Sequence, residues 1–125
     1  MQVKKIEIVD FGSTEVLKMN SFEEDEPKDD EVLIDVHYSG INFADIIMRL
    51  GMYRDAPPVP FTPGYEVSGV ISKRGKNVTR FNIGEKVMAG TRFGGYSSQV
   101  KLPAWQVLKL DNSLSLKDGA ALPVN

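Results

Sequence analysis

Short runs of alternating apolar and polar residues recur along most of the chain. The runs are rich in Val and Ile, and Gly, Pro, Asn and Asp separate them. This pattern is typical of half-buried β-strands joined by turns. The number and spacing of the runs favour a small β-barrel or sandwich. The predicted strands are Val3–Phe11, Glu15–Met19, Glu31–Gly40, Tyr65–Gly75, Glu85–Gly90, Tyr96–Leu102 and Trp105–Leu110.

Two segments have helical periodicity instead. The segment NFADIIMRLG begins with Asn42, a residue type that caps helices, and has Asp45 three residues later. Its apolar residues follow at helical spacing, and a glycine ends it. The segment SLKDGAALPVN repeats the arrangement with Ser115 and Asp118 and runs into a proline. The sequence therefore predicts two short helices.

Three further segments read as loops. Between the first helix and the strand opening at Tyr65, RDAPPVPFTPG contains four prolines, which predict a stiff, extended connection. The acidic segment Phe22–Glu31 predicts a solvated surface loop. The Gly-rich segment Gly90–Ser98 lacks the spacing of a phosphate-binding loop and leads into a strand, so we interpret it as a hairpin turn.

Composition indicates one domain. The chain has 125 residues, 42% of them hydrophobic and 26% charged, which suffices for a single buried core. Its formal net charge of −2 provides no basic surface for nucleic acid or anionic lipid. No apolar run approaches the ~20 residues that span a bilayer, and the amino terminus lacks a signal-peptide pattern. We therefore expect a cytoplasmic protein without nucleic-acid or membrane partners.

The absence of cysteine removes several kinds of chemistry. Disulfides, thiolate zinc sites, iron–sulfur clusters and a Cys nucleophile are all excluded. A Ser-His-Asp triad would need His37, the single histidine, which lies in a predicted strand without a nucleophile motif nearby. We interpret His37 as an ordinary strand residue.

Four segments carry a family resemblance: GINFADIIMRLGMY, PFTPGYEVSGVI, VTRFNIGEKVMAGTRFGGYSSQV and GAALPVN. In this order and spacing they resemble the amino-terminal, GroES-like domain of the medium-chain dehydrogenase/reductase superfamily. Within it the likeness is to the zinc-independent quinone oxidoreductase branch, which includes the vesicle amine transport protein homologues. The resemblance implies a mainly β fold, a GroES-like antiparallel barrel with short helices, over residues 1–125. The segment Ser72–Asn77 departs from the family's usual Val-Gly turn, which should alter only a surface hairpin.

The resemblance also indicates a site without metal. The zinc branch supplies a Cys ligand after the Gly-Ile pair and a His ligand from a Gly-His-Glu triplet. Those places hold Asn42 and Tyr65 in this chain. Zinc in proteins is held by thiolate, imidazole or carboxylate, so neither residue suits it. The expected enzyme is a reductase that works without zinc.

By the same resemblance, one wall of the active-site cleft contains Asn42, Asp45 and Tyr53. Asn42 is a candidate catalytic and cofactor-binding residue, because its amide has two donors and an acceptor for the nicotinamide or a substrate oxygen. The alternative is that Asn42 only caps the helix. Asp45 is a candidate cofactor contact, with the alternative of a structural acid favoured by the helix dipole.

Tyr53 is the second catalytic candidate. Its phenol is a hydrogen-bond donor and proton source for an enolate-like oxygen; alternatively, it anchors the proline loop. Tyr65 is expected to fill the vacated metal pocket and line the substrate pocket, and Glu66 to be buried and hydrogen-bonded. The resemblance places Asn125 beside the cofactor.

The family's chemistry is transfer of a hydride from NADPH to a quinone or a carbonyl-conjugated alkene. No βαβ dinucleotide-binding pattern is present in the chain, so we expect NADPH to bind it weakly and the chain to be inactive alone. The complete enzyme is expected to be a homodimer. A non-enzymatic GroES-like binding or assembly module is the alternative, and a zinc alcohol dehydrogenase domain is a weaker one.

Overall fold

Antiparallel strands dominate the computed structural model, which describes residues 1–122. Each predicted strand has a counterpart, and both predicted helices are present. The strands are β1 Gln2–Ile8, β2 Leu17–Glu23, β3 Glu31–Ser39, β4 Glu66–Arg74, β5 Lys86–Gly90, β6 Gln99–Pro103 and β7 Val107–Lys109. The helices are α1 Phe43–Arg49 and α2 Leu116–Gly119, and single 3₁₀ turns occupy Thr14–Val16 and Ala104–Gln106.

The strands form a curled five-stranded sheet and a separate ribbon. The sheet order is β6-β3-β4-β5-β7, and β1 pairs with β2, all antiparallel. An isolated antiparallel backbone bridge between Lys5 of β1 and Ser97, shortly before β6, joins the ribbon to the segment that leads into the sheet. At a bulge between β3 and β4, a Cβ at Gly69 would lie 1.9 Å from the Asp35 carbonyl oxygen, so only glycine fits there. The expected GroES-like, mainly β fold is confirmed.

Two apolar clusters fill the domain. The first, here called the sheet core, comprises buried residues Val32, Ile34, Val67, Ile71, Val78, Phe81, Val87, Ala89, Leu102 and Val107. The second, the aromatic layer, has Ile8, Val16, Met48 and Phe61 buried, with Leu17, Ala44, Tyr53, Ala56, Val59, Tyr65 and Phe93 half-buried around them. The candidate site residues Tyr53 and Tyr65 thus belong to the second cluster.

The boundaries of the amino-terminal ribbon differ from the prediction. β1 ends at Ile8, because Phe11 beyond it is solvent-exposed and the backbone turns back. β2 begins after a 3₁₀ turn and continues to Glu23, which pairs with Gln2, so the acidic loop begins later than predicted. Charged residues are tolerated in β2 because most of its side chains are exposed.

The Gly-rich segment is not a hairpin, contrary to the prediction. It connects β5 to β6, which are not neighbours in the sheet. Its backbone instead bonds the end of the proline loop: the N–H groups of Gly94, Gly95 and Tyr96 donate to the carbonyls of Thr62, Gly64 and Pro63 at 2.8, 3.0 and 2.9 Å. This pairing brings Arg92, Phe93 and Tyr96 close to Tyr65.

The remaining elements agree with the sequence. The Ser115 hydroxyl oxygen caps α2 by accepting a hydrogen bond from the Asp118 N–H at 3.1 Å. His37 lies on β3 with its side chain exposed, as an ordinary strand residue would. Over residues 1–122, no helix has the length and apolar character needed to cross a bilayer.

Candidate active site

The site lies where four segments meet: the start of α1, the proline loop, the start of β4 and the segment between β5 and β6. Asn42 caps α1 and Asp45 lies in its first turn, Tyr53 follows α1, Tyr65 directly precedes β4, and Tyr96 lies between β5 and β6. Residues distant in sequence are therefore brought together by the antiparallel fold.

Asn42 is the N-cap of α1. The Asp45 carboxylate accepts a hydrogen bond from the Asn42 N–H at 3.0 Å, and the Asp45 N–H donates to the Asn42 carbonyl at 3.0 Å. This is the capping-box arrangement expected from the sequence. The Asn42 side-chain amide donates to the Glu66 Oε1 atom at 3.3 Å. The structure thus directs Asn42 toward the helix start and toward Glu66.

Glu66 is buried beneath the site, with 1% of its surface exposed. A Cβ at Gly40 would lie 2.1 Å from Glu66 Oε1, so the glycine makes room for the carboxylate. A buried carboxylate needs hydrogen-bond donors, and Asn42 supplies one. The expectation of a buried, hydrogen-bonded Glu66 agrees with this geometry.

Asp45, which is buried, pairs with Tyr96, which is half-buried. Asp45 is 6% exposed, and its Oδ2 atom accepts a hydrogen bond from the Tyr96 hydroxyl at 2.7 Å. Burial, followed by this hydrogen bond and the Asp45 charge, raises the pKa of Tyr96 above its usual range. The other carboxylate oxygen, Oδ1, is buried without a hydrogen-bond partner among the described residues. Asp45 therefore has the surroundings of a structural acid.

Tyr53 and Tyr65 form a hydroxyl pair at the edge of the aromatic layer. The Tyr65 hydroxyl donates to the Tyr53 hydroxyl oxygen at 2.5 Å, and the two ring centroids are 6.4 Å apart. Tyr65 also contacts Phe93 at 6.0 Å between ring centroids. Burial, followed by the hydrogen bond to Tyr53, raises the pKa of Tyr65 above its usual range. With Tyr65 as the donor, the Tyr53 hydroxyl hydrogen can serve another acceptor.

The contacts of these side chains limit what metal or cofactor the site can hold. Within residues 1–122, no group of three or more His, Asp or Glu side chains is arranged to hold a metal ion. Asn42 instead bonds to Glu66, and Tyr65 bonds to Tyr53. The N-terminus of α1 is capped by Asp45 rather than open to a phosphate group.

The structure brings together Asn42, Asp45, Tyr53 and Tyr65 from the predicted set. Asn125 lies outside the described residues. Tyr96 was not predicted as a site residue, although its place after a Gly-Gly pair was visible. Such a pair lets two backbones approach closely, but nothing in the sequence identified Asp45 as the acceptor.

The fold is that of the GroES-like domain of medium-chain dehydrogenases and reductases. The chain belongs to the alcohol dehydrogenase GroES-like domain family, whose model matches residues 28–112. Within the medium-chain dehydrogenase/reductase superfamily, its relatives are quinone oxidoreductases and VAT-1 homologues.

Three relatives illustrate the likeness. Human quinone oxidoreductase is 37% identical over 98% of this chain and 38% of its own length. The human synaptic vesicle membrane protein VAT-1 homolog-like protein superposes with a TM-score of 0.92 at 31% identity, over 100% of this chain and 40% of that one. Escherichia coli quinone oxidoreductase complexed with NADPH superposes with a TM-score of 0.84 at 31% identity, over 95% and 36%. The chain thus spans less than half the length of these relatives.

Proposed function

We propose that this chain is the substrate-side domain of a zinc-independent, NADPH-dependent enzyme that reduces a quinone or a carbonyl-conjugated alkene. The observation that carries the proposal is the Tyr53–Tyr65 hydroxyl pair. By the family resemblance, Tyr65 stands where the zinc-dependent branch has its His ligand. Bound NADPH would supply the hydride. The residues of this chain would supply the hydrogen bonds that the reduced oxygen needs.

Tyr53 is the proposed donor to the acceptor's carbonyl oxygen. Reduction of a conjugated carbonyl places negative charge on that oxygen, and a phenol aimed at it stabilises the charge. Tyr65 donates to the Tyr53 oxygen at 2.5 Å, and a hydroxyl that accepts such a bond becomes a stronger donor. Tyr65 would therefore line the substrate pocket and reinforce Tyr53 at the same time.

Asn42 and Asp45 remain proposed cofactor contacts of the complete enzyme. Their observed partners support a structural contribution: Asn42 bonds Glu66, and Asp45 bonds Tyr96 and the start of α1. These bonds fix the wall against which the cofactor's reacting end would lie. Asn42 stays the second candidate for a direct role in catalysis.

A solved relative supports the cofactor of the proposal, and the remaining features are expectations from the sequence. One solved relative is a quinone oxidoreductase complexed with NADPH, which supports this cofactor for the complete enzyme. We propose that the chain alone is inactive and binds NADPH weakly, that the complete enzyme is a cytoplasmic homodimer, and that its substrate is a small molecule.

Tyr53→Phe in the complete gene product tests the proposal. The substitution removes one hydroxyl and keeps the ring, so turnover of an enone should fall about 10²-fold if the donor acts on the transition state. NADPH affinity, measured by calorimetry, should be nearly unchanged. Steady-state kinetics with one quinone and one enone are the measurement. An unchanged turnover number for both acceptors would make Tyr53 a packing residue.

Asn42→Ala is the matched variant. As a cap and Glu66 partner, Asn42 should contribute about 0.5–2 kcal/mol to the free energy of unfolding, with little effect on kinetics. A kinetic defect in a stably folded Asn42→Ala protein would instead transfer the catalytic role to Asn42.

A further inference from the structure

Arg92 is held in a backbone conformation that non-glycine residues rarely adopt. Its φ is +61°, and the Phe93 N–H donates to the Thr91 carbonyl at 2.6 Å, which closes a three-residue turn around Arg92. Turns of this handedness are rare and strained. The Thr91 N–H donates to the Tyr65 carbonyl at 2.7 Å, and the Thr91 hydroxyl donates to the Gly64 carbonyl. The turn is therefore fixed to the strand that carries Tyr65.

The Arg92 side chain lies beside the tyrosine pair. Its guanidinium carbon is 5.6 Å from the centroid of the Phe93 ring, and the Phe93 ring is 6.0 Å from the Tyr65 ring. Burial raises the pKa of Tyr65, and the positive charge of Arg92, the smallest contribution, opposes that rise. The Arg92 guanidinium thus contacts Phe93, Phe93 contacts Tyr65, and Tyr65 bonds to Tyr53.

Most other arginines of the chain bond to the protein. Arg49, Arg74 and Arg80 donate to backbone carbonyls. Over residues 1–122, Arg92 makes no hydrogen bond or ion pair, although its guanidinium has five donors. Arg54 directly follows Tyr53 and precedes Asp55.

The carboxylates near the tyrosine pair do not neutralise Arg92. Asp45 and Glu66 are both buried and bonded to Tyr96 and Asn42. Arg92 is solvent-exposed and carries a positive charge, on a chain whose formal net charge is −2. A guanidinium presented in this way suits an oxyanion, which it can bind through two parallel hydrogen bonds.

We propose that Arg92 determines acceptor specificity by binding a carboxylate or phosphate group on the molecule whose carbonyl lies at Tyr53. This inference rests on the proposed function for the identity of the reduced group. It adds a substrate class: acceptors with an anionic substituent are preferred over neutral acceptors of the same shape. The cofactor's phosphates are the other source of the same chemistry, and the test separates the two.

The test compares two phenyl-substituted enones, one with a para-carboxylate and one with the uncharged para-carboxamide. Their dissociation constants for the complete gene product are measured by calorimetry without NADPH, so the result does not depend on turnover. The wild-type protein should prefer the carboxylate, and Arg92→Gln should weaken carboxylate binding about tenfold while leaving the carboxamide unchanged. Lys76→Gln, which removes the same charge from a distant hairpin, should leave both constants unchanged.

Three results would overturn the proposal. One is an equal affinity of the wild-type protein for the two enones. Another is an unchanged carboxylate preference in Arg92→Gln. A third is weaker NADPH binding in Arg92→Gln without any change for the carboxylated enone, which would assign Arg92 to the cofactor. If the protein binds the carboxylate through Arg92 but reduces neither enone, the specificity site stands and the proposed reaction fails.

Discussion

The sheet core and the aromatic layer are stabilised by different interactions. The sheet core contains only aliphatic residues and Phe81, all of them buried. The aromatic layer has half-buried tyrosines around its buried residues, and Tyr65 donates to Tyr53 at 2.5 Å. Beside the layer, Tyr96 donates to Asp45 at 2.7 Å. Burial of apolar area therefore stabilises the first region, whereas the second also depends on satisfied polar pairs.

Because of this difference, the residues that stabilise the fold and the residues of the candidate site can lie on different faces of the same element. β4 contributes to both regions, with Val67 and Ile71 in the sheet core and Glu66 buried beneath the site. Side chains in a strand alternate between faces, so one strand can carry an apolar face and a polar one. Changes on the apolar face should reduce stability, and changes on the site side should act through particular hydrogen bonds.

The largest effect is expected in the sheet core. Phe81 is fully buried, and Arg80 lies over its ring at 4.3 Å. Phe81→Ala removes the ring and leaves a cavity, which should lower the free energy of unfolding by about 3–5 kcal/mol. Urea unfolding followed by circular dichroism measures the change. Ile83→Ala, at an exposed position two residues away, is the control and should change stability by less than about 0.5 kcal/mol.

If Phe81→Ala lowers the free energy of unfolding by less than about 1 kcal/mol, the proposed difference between the two regions is contradicted. It would mean that the sheet core tolerates a cavity, and that the aromatic layer contributes more of the stability than its half-exposed side chains suggest.

The next effect tests the polar side of the comparison. Tyr96→Phe removes the donor to Asp45 Oδ2, in a carboxylate whose Oδ1 atom is already without a partner among the described residues. Leaving a buried acceptor less satisfied should cost about 1–3 kcal/mol. Thermal or urea unfolding measures the loss. Tyr38→Phe, at an exposed position on β3, is the matched control and should be nearly neutral.

If Tyr96→Phe and Tyr38→Phe have equal effects, the Asp45–Tyr96 pair contributes nothing and the aromatic layer is held by apolar contact alone.

Much of the fold was predictable from local patterns. The alternation of Val and Ile with polar residues located the strands, and the capping residues Asn42 and Ser115 located both helix starts. The proline loop was also predicted, because four prolines exclude helix and central strand. The family resemblance then predicted that these elements form a GroES-like barrel and that Asn42, Tyr53 and Tyr65 lie in one site.

The sequence did not reveal the partners of these residues. That Tyr65 bonds Tyr53, and that Tyr96 bonds Asp45, depends on side-chain geometry between distant segments. The hairpin prediction for Gly90–Ser98 failed for a similar reason. A Gly-rich turn looks the same whether its strands pair with each other or with β4 and β3, as β5 and β6 do here.

The smallest expected effect concerns alkaline stability and compares Tyr65 with Tyr96. Burial raises the pKa of both phenols, and hydrogen bonds to Tyr53 and Asp45 add to the rise. The folded state therefore holds these two protons more tightly than the unfolded state, whose tyrosines titrate near pH ~10. Their contribution to stability is complete below about pH 10 and is lost progressively as the pH rises above it.

Each phenol can add at most about 1.4 kcal/mol per pH unit to this decline, and a fraction of that is expected because both are half-buried and screened by solvent. Urea unfolding at increasing pH measures the slope. Tyr65→Phe and Tyr96→Phe should each make the decline shallower than in the wild-type protein, and the double variant shallower still. If all four slopes coincide, neither phenol is protected by folding, and the aromatic layer differs from the sheet core in composition but not in how it is stabilised.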